Sequence, residues 1–448
     1  MQVTQTLSQG LKQEFTVVLP AGELSAKLES QIAEMRAKAQ IKGFRPGKAP
    51  ISYLKKVYGK SIMGDVLQEA VNEANRKIVD EHELRLAMAP KFDFPGGQSE
   101  VEKALQADGD FSYVVTFETL PAIEIGSFDD ISILRPVAPV SDADVAAAIN
   151  GLAERAREFE PREEGAKAAM GDKVTLDFTG TLDGVPFEGG TGGDVDIVLG
   201  SGSFIPGYEE QIEGAAAGER RLVKVRFPDD YSAKTLAGRD AEFDVTVKAV
   251  AAPKAQELDE AFAKKYGFES LADLQTAVRG NLEADFAKAS REKLKRALLD
   301  TLDKKYSFDL PESLVEQEFS GIWEQLLAER KRGLDDADDQ PEEATRVEYR
   351  AIAERRVRLG LVLAEIGQGA GVKVEDEDVT KALVEHVRQF PGRERQVWDY
   401  YVNNEQALAQ IRAPIYEERV VDHIATLITI ADKTVSREEL FAEEEDES

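Results

Sequence analysis

The hydrophobic periodicity changes along the chain, and this change limits the fold more than any other feature of the sequence. Residues 171–250 are rich in glycine and alternate polar with apolar side chains, a period of two that is typical of strands. From Pro253 to Lys433 the apolar residues recur at helical spacing, and glycine and proline are sparse. At ~150 residues per domain the length of 448 residues suggests about three domains. The change in periodicity and composition marks where one domain gives way to the next.

The first 115 residues combine strand and helix signals. Alternating residues through Val3–Leu7 and Phe15–Leu19 predict two strands, and Phe111–Thr119 predicts a third. Residues 121–148 contain three prolines and little periodicity until Ser141, a candidate N-cap for a helix over Asp142–Phe159. The sequence therefore predicts a multi-domain α+β protein. Its expected parts are an α+β domain at 1–115, a linker at 116–149 that packs with the C-terminal helices, a β-rich domain at 150–250, an all-α domain with long helical arms at 251–433 and an acidic tail at 434–448.

Composition removes several kinds of chemistry. The 448 residues carry 85 acidic against 56 basic side chains, a net charge of −29, and no cysteine. Disulfides, thiolate metal sites and cysteine nucleophiles are therefore excluded, and the three histidines lie far apart in sequence. We expect neither a metal nor another cofactor. No apolar run approaches the ~18 residues of a membrane helix, and no secretory signal precedes the first strand, so the sequence predicts a cytoplasmic protein without a membrane partner.

A basic segment, defined as residues 36–60, stands out in this acidic chain. It contains eight Lys or Arg residues and no Asp or Glu. At its centre, residues 43–50 read GFRPGKAP, whose glycines and prolines interrupt the helical pattern and predict a stiff loop. Phe44 beside Arg45 and Lys48 suits a phosphate backbone together with an apolar or base contact. The charges alone leave open a solvated basic helix face with Phe44 in the local core.

The run GFRPGKAP resembles the ribosome-docking signature of the trigger factor family, bacterial chaperones that act at the peptide exit tunnel. The resemblance implies that Phe44, Arg45 and Lys48 contact the large ribosomal subunit, both its RNA and a protein at the tunnel rim. The candidate docking residues are Gly43, Phe44, Arg45, Pro46, Gly47, Lys48 and Pro50.

Aromatic residues and turn signals are concentrated in residues 171–250. Asp183-Gly184 between two alternating runs predicts a hairpin, and Ser203–Ile212 predicts one short helix against a sheet. The aromatic residues could converge on one face of that sheet. They would form either an ordinary β core or the walls of a pocket.

The order of motifs in this region resembles the FK506-binding type of prolyl isomerase, and it occurs where trigger factors carry such a domain. Two positions differ from that family, because its Tyr-Thr-Gly tyrosine is Phe178 here and its pocket-floor tryptophan is Tyr208. The resemblance implies that the Tyr231 hydroxyl hydrogen-bonds the substrate carbonyl, and that Glu188 aligns a backbone group or accepts a hydrogen bond. The candidate catalytic residues are Phe178, Phe187, Glu188, Ile197, Phe204, Ile205, Tyr208, Tyr231 and Phe243.

The predicted C-terminal helices are long and carry extended stripes of apolar residues. These stripes fit the core of a helix bundle, and the resemblance implies that some of them cradle nascent and unfolded polypeptides instead. Three hypotheses follow: a ribosome-associated chaperone with a built-in isomerase that assists folding and export, a free isomerase without ribosome docking, and a scaffold with an inactive β module. Whether free molecules pair as homodimers stays open at this point.

Overall fold

The computed structural model describes residues 1–38, 44, 48–106, 109–229, 231, 233, 235–254, 257–332 and 342–442. The chain divides into two compact units, Met1–Ile133 with Lys295–Ala431 and Leu134–Leu294 with Asp432–Ser448. Helical and β-rich regions both occur, so the predicted multi-domain α+β class is confirmed.

Eleven strands and thirteen helices lie in the described part of the chain. The strands are β1 Gln2–Gln9, β2 Lys12–Leu19, β3 Lys91–Asp93, β4 Phe111–Glu118, β5 Ser132–Val137, β6 Phe159–Pro161, β7 Lys173–Leu182, β8 Val185–Val198, β9 Arg220–Arg226, β10 Asp240–Pro253 and β11 Thr429–Thr434. The helices are α1 Ala21–Lys38, α2 Ile51–Glu81, α3 Gly97–Leu105, α4 Asp142–Arg155, α5 Tyr208–Ile212, α6 Glu260–Lys265, α7 Leu271–Lys305, α8 Glu312–Arg332, α9 Glu342–Gly369, α10 Asp376–Val387, α11 Glu394–Val402, α12 Glu405–Ala425 and α13 Arg437–Phe441.

In the first unit, a four-stranded antiparallel sheet in the order β1-β2-β4-β3 packs against α1 and α2. Alternate residues of β2 and β4 point into this core, because side chains on a strand face opposite sides in turn. Phe15, Val17 and Tyr113 are fully buried there, and Ile32 of α1 covers them. The two N-terminal strands and the third at Phe111–Thr119 are thus confirmed.

Within the same unit, the end of β4 contacts the start of α8. The Glu118 carboxylate accepts hydrogen bonds from the backbone N–H groups of Glu312 at 2.7 Å and Ser313 at 3.0 Å, at the start of α8. An anion at a helix N-terminus meets unpaired N–H groups and the positive end of the helix dipole. This contact fixes the end of the N-terminal sheet against α8.

In the second unit, α4 begins at the predicted cap. Ser141 Oγ accepts from the Asp144 N–H at 3.2 Å, and the Asp144 carboxylate accepts from the Ser141 N–H at 3.0 Å. This capping box satisfies two N–H groups that the helix leaves unpaired. The helix ends at Arg155, earlier than Phe159, which begins β6 instead.

The apolar face of α4 packs within the second unit against later helices. Val145 and Ile149 contact a cluster that includes Phe262 of α6 and Leu274 of α7. The segment predicted as an acidic tail contains a packed helix, α13. This helix buries Leu440, and its Phe441 ring lies 5.2 Å from the ring of Phe286.

The β-rich module of the second unit is an antiparallel sheet in the order β6-β10-β7-β8, with β9 also paired to β10. The predicted hairpin is confirmed: Leu182 pairs with Val185, and the residues between them, Asp183 and Gly184, have φ of 51° and 80°. Positive φ at both central positions gives the turn a twist that matches the twist of the two strands, and Asp-Gly adopts this geometry readily. Helix α5 occupies the last five residues of the segment predicted as helical.

Candidate functional site: an aromatic cavity and a basic segment

The β-rich module contains a cavity of about 520 Å³, called here the aromatic cavity. Its walls come from β7, β8, β10, α5 and the segments beside them, and they are mostly aromatic. The lining residues are Phe178, Phe187, Gly189, Ser203, Phe204, Ile205, Pro206, Tyr208, Phe227, Pro228, Tyr231, Ala233, Leu236 and Phe243. None of these side chains is charged, so the described part of the cavity wall is apolar with a few hydroxyl groups.

The rings of the cavity hold one another in place. Phe243 meets Phe178 at 5.9 Å and Tyr208 at 5.4 Å between ring centroids, both edge to face. Tyr208 also stacks on Phe204, at 5.2 Å and an interplanar angle of 22°. Such pairs add to the stability that ring burial gives and favour defined geometries. The wall is therefore preformed.

A glycine on β7 makes room for two of these rings. A Cβ atom at Gly180 would lie 2.6 Å from Phe243 Cε1 and 2.8 Å from Phe187 Cε1. Both distances are shorter than any ordinary carbon–carbon contact. The absence of a side chain at Gly180 therefore lets the rings pack directly on the strand.

Two tyrosines bring the polar groups of the cavity. Tyr231 is 37% exposed and its ring lies 4.7 Å from that of Phe227, at the cavity rim. Tyr208 is buried, and its hydroxyl has no hydrogen-bond partner among the described residues. Burial raises the pKa of Tyr208 above its ordinary value, so this hydroxyl stays neutral.

The structure brings together seven of the nine candidate catalytic residues. Ile197 is buried in the core of the module and does not line the cavity, and the side chain of Glu188 lies outside the described residues. The residues that line the cavity are Phe178, Phe187, Phe204, Ile205, Tyr208, Tyr231 and Phe243.

Sequence reasoning missed several lining residues. Phe227 and Pro228 follow the end of β9 and precede Tyr231, and Ala233 and Leu236 come after it. The sequence did contain a signal for Phe227 and Pro228, because an aromatic residue and a proline follow an alternating run there. The position of Leu236 depends on how the connection folds back, which no local pattern shows.

Most of the described residues of the basic segment are exposed. Phe44 is 36% exposed and its ring lies 5.2 Å from Tyr53, so it does not lie in the core as the alternative interpretation supposed. Lys48 and Pro50 are exposed, and Ala49 between them is buried. The other candidate docking residues, Gly43, Arg45, Pro46 and Gly47, lie outside the described residues.

The first turns of α2 extend this exposed surface. Ile51, Tyr53 and Val57 are 47%, 41% and 51% exposed, an unusual share for apolar residues on one helix. Lys55 and Lys56 lie among them, and neither pairs with an acidic side chain in the part of the chain that the structure describes. Cationic and apolar groups are thus presented together.

The described residues offer neither a clustered metal site nor a membrane-spanning helix. They contain no group of three His, Cys, Asp or Glu side chains placed to hold a metal ion. They also contain no helix with the length and apolar character to cross a membrane.

Comparison with known proteins decides the family. Models of the N-terminal region and the C-terminus of the bacterial trigger factor protein match residues 1–152 and 270–426, and a model of the FKBP-type peptidyl-prolyl cis-trans isomerase matches residues 164–248. A trigger factor of Methylocella silvestris is 58% identical over 99% of this chain and 96% of its own length.

The chain belongs to the trigger factor family.

Other trigger factors are similar over nearly the whole length. Those of Methylorubrum populi and Azorhizobium caulinodans are 53% and 50% identical, over 100% of this chain and 94% and 100% of their own lengths. A solved structure, described as promiscuous substrate recognition in folding and assembly activities of the trigger factor chaperone, superposes with a TM-score of 0.54 at 18% identity, covering 95% of this chain and 99% of that one. This last similarity shows the fold.

Membership of the trigger factor family fixes the general function. The protein is a chaperone with peptidyl-prolyl cis-trans isomerase activity, as the sequence predicted. A free isomerase without ribosome docking is the less favoured alternative.

Proposed function

We propose that the aromatic cavity is where this trigger factor isomerises X-Pro bonds, and that the basic segment docks it on the large ribosomal subunit. In this proposal, residues 1–115 bind the ribosome and residues 116–149 connect the domains. Residues 150–250 isomerise X-Pro bonds, and residues 251–433 hold the nascent chain. The observation that carries the first part is the uncharged aromatic wall of the cavity. Exposure of Phe44, together with the exposed Lys48, Lys55 and Lys56 of the same segment, supports the second.

The chemistry of the cavity needs no nucleophile and no metal. Rotation about an X-Pro amide meets a barrier of about 20 kcal/mol, because resonance in the C–N bond must be broken. A twisted amide separates less charge than a planar one, so an apolar cavity favours it relative to the planar ground state. Each ~1.4 kcal/mol of preferential binding of the twisted form accelerates the reaction about tenfold.

Individual residues take different parts in this proposal. Phe178, Phe187, Phe204, Tyr208 and Phe243 form the walls that exclude water, with Ile205 at the edge and Ile197 supporting the core beneath. The Tyr231 hydroxyl donates to the substrate carbonyl at the rim, and Glu188 aligns a backbone group there.

The docking part of the proposal rests on charge and exposure. Phosphates of ribosomal RNA attract the lysines of the basic segment, and Phe44 contacts an apolar surface, either a base or a protein at the exit tunnel. The signature residues Gly43, Arg45, Pro46, Gly47, Lys48 and Pro50 shape and charge this contact. The protein would thus be cytoplasmic and partly bound to ribosomes.

The C-terminal helices supply a surface for unfolded polypeptides. Several apolar residues there are exposed, including Val347 at 69% and Tyr400 at 58%. Many weak apolar contacts ringed by charge hold an unfolded chain without a sequence code. When no ribosome is bound, the same residues could pair two copies, and sedimentation velocity across a concentration series would detect the homodimer.

Co-sedimentation with bacterial ribosomes at low salt tests the docking proposal. Wild type should pellet with ribosomes, and the variant with Phe44, Arg45 and Lys48 all replaced by Ala should stay in the supernatant. Its circular dichroism should match wild type, because Phe44 and Lys48 are exposed and contribute little to the core. A matched control is Lys103→Ala, an exposed lysine of α3. Equal pelleting of wild type and the triple variant would contradict the proposal.

A further inference from the structure

A buried carboxylate belongs to the residue that follows Tyr208 of the cavity wall. Glu209, in the first turn of α5, is 5% exposed. Its two oxygens accept five hydrogen bonds from the segment that precedes α5. The donors are the backbone N–H groups of Gly200, Gly202, Ser203 and Phe204, at 2.7, 3.1, 3.0 and 3.3 Å, and Ser201 Oγ at 3.2 Å.

This carboxylate is neutralised by backbone groups and not by a cation. Among the described residues, no Lys or Arg forms an ion pair with Glu209. An unpaired buried anion would be costly, and convergent N–H groups are one way to hold it. Burial by itself would raise the pKa of Glu209, but the N–H donors of Gly202, Gly200 and Phe204 outweigh it and bring the pKa below its usual value.

The segment that Glu209 holds carries part of the cavity wall. Ser203, Phe204 and Ile205 all line the cavity, and the Phe204 ring stacks on Tyr208, the residue before Glu209. Gly200 and Gly202 have φ of 86° and 67°, a left-handed conformation that glycine adopts at little cost. The segment has no regular ladder of its own, so the carboxylate is its main anchor.

We propose that Glu209 is a positioning residue of the isomerase site, which sets the Phe204 wall through the backbone of residues 200–204. A cavity complementary to the twisted amide loses transition-state binding when one wall can shift. The same shift weakens binding of the planar substrate less, because the cavity is complementary to the twisted transition state and not to the planar ground state. Loss of the carboxylate should therefore lower kcat more than it weakens ground-state binding.

The test is Glu209→Gln in the full chain. The amide keeps the size of the side chain, but its NH₂ group replaces one accepting oxygen and faces N–H donors. We expect kcat/KM for an X-Pro peptide to fall about tenfold, equivalent to ~1.4 kcal/mol. The Kd of the same peptide in its ground state should change less than about threefold. Amide hydrogen exchange should accelerate at residues 200–204 and stay unchanged in β7 and β10.

Glu210→Gln is the matched control, because Glu210 is the next residue of the same helix and is exposed. All measurements are made at a temperature where circular dichroism shows both variants folded. If Glu209→Gln matches Glu210→Gln in kcat/KM, or loses activity only in proportion to an unfolded fraction, Glu209 is a structural acid and the proposal is wrong.

A second variant keeps the test decisive if Glu209→Gln does not fold. Ser201→Ala removes one exposed donor to the carboxylate, together with the contacts of Ser201 Oγ to Ser203, and leaves the buried anion in place. It should lower kcat by about twofold to threefold, in line with one modest hydrogen bond. An unchanged kcat in this variant would overturn the proposal.

Discussion

The aromatic cavity is built from buried rings that three strands and a short helix bring together, whereas the basic segment presents its rings and lysines to solvent. In the cavity, Phe243 is 4% exposed and touches rings from distant parts of the module. In the basic segment, Phe44 touches Tyr53, nine residues away in sequence. In the proposed assignment, isomerisation therefore depends on the packed core, and docking depends on a local surface that the core only supports.

This difference has a consequence for mutations. Changes in the cavity should alter stability and isomerase activity together, because the same rings serve both. Changes in the basic segment should alter binding alone. The following expectations separate the two regions, in order of decreasing effect.

Gly180→Ala should have the largest effect. The new Cβ would overlap Phe243 and Phe187, whose rings are packed on both sides, and overpacking of this kind costs about 1–3 kcal/mol. We expect kcat/KM for an X-Pro peptide to fall up to about a hundredfold, with unchanged ribosome binding. Gly151→Ala in α4 is the control, because its Cβ would meet open space. Full activity in Gly180→Ala would show that the cavity wall is not the catalytic surface.

Raising the salt concentration should weaken docking and leave isomerisation unchanged. If the basic segment neutralises about three phosphates, the affinity should fall roughly fortyfold between about 50 and 200 mM salt. Turnover of an uncharged X-Pro peptide by the same preparation serves as the internal control. Ribosome binding that does not depend on salt would remove the electrostatic part of the account.

Tyr231→Phe should lower kcat/KM about tenfold, since the hydrogen bond proposed to position the substrate carbonyl contributes ~1–1.5 kcal/mol. The ring would stay on Phe227, so the thermal midpoint should not move. Tyr58→Phe, an exposed tyrosine of α2 outside the cavity, is the control for the loss of a hydroxyl. A variant as active as wild type would assign the carbonyl contact to another donor.

Tyr53→Ala should have the smallest effect. The ring of Tyr53 supports Phe44 at 5.2 Å, and an exposed aromatic pair contributes about 0.5–1 kcal/mol. We expect ribosome affinity to fall about threefold to fivefold. Tyr58→Ala, on the same helix and 37% exposed, tests whether the effect belongs to the contact with Phe44. Equal losses in both variants would mean that α2 itself binds the ribosome.

The contrast between the two regions also explains what the sequence could predict. The Asp183-Gly184 hairpin and the Ser141 cap follow from residues close together in the chain, and the structure confirms both. Local signals of this kind act within a few residues, so they survive without knowledge of the tertiary fold.

Features that depend on long-range packing were not predictable in the same way. Ile197 alternates like its neighbours, and its burial in the core and not in the cavity wall depends on how the whole module packs. Glu209 gave no sequence signal, because its partners are backbone N–H groups that any residues could supply. Helix α13 was missed because the acidic residues beyond it dominate the composition of the last fifteen positions.

The most direct test of the account measures both activities in both kinds of variant. Gly180→Ala and the triple Ala variant of Phe44, Arg45 and Lys48 would each be assayed for ribosome co-sedimentation and for X-Pro peptide turnover. The account predicts reciprocal loss: Gly180→Ala pellets with ribosomes but turns over peptide slowly, and the triple variant turns over peptide at the wild-type rate but does not pellet. Loss of both activities in the triple variant, with its fold intact, would contradict the separation of the two regions.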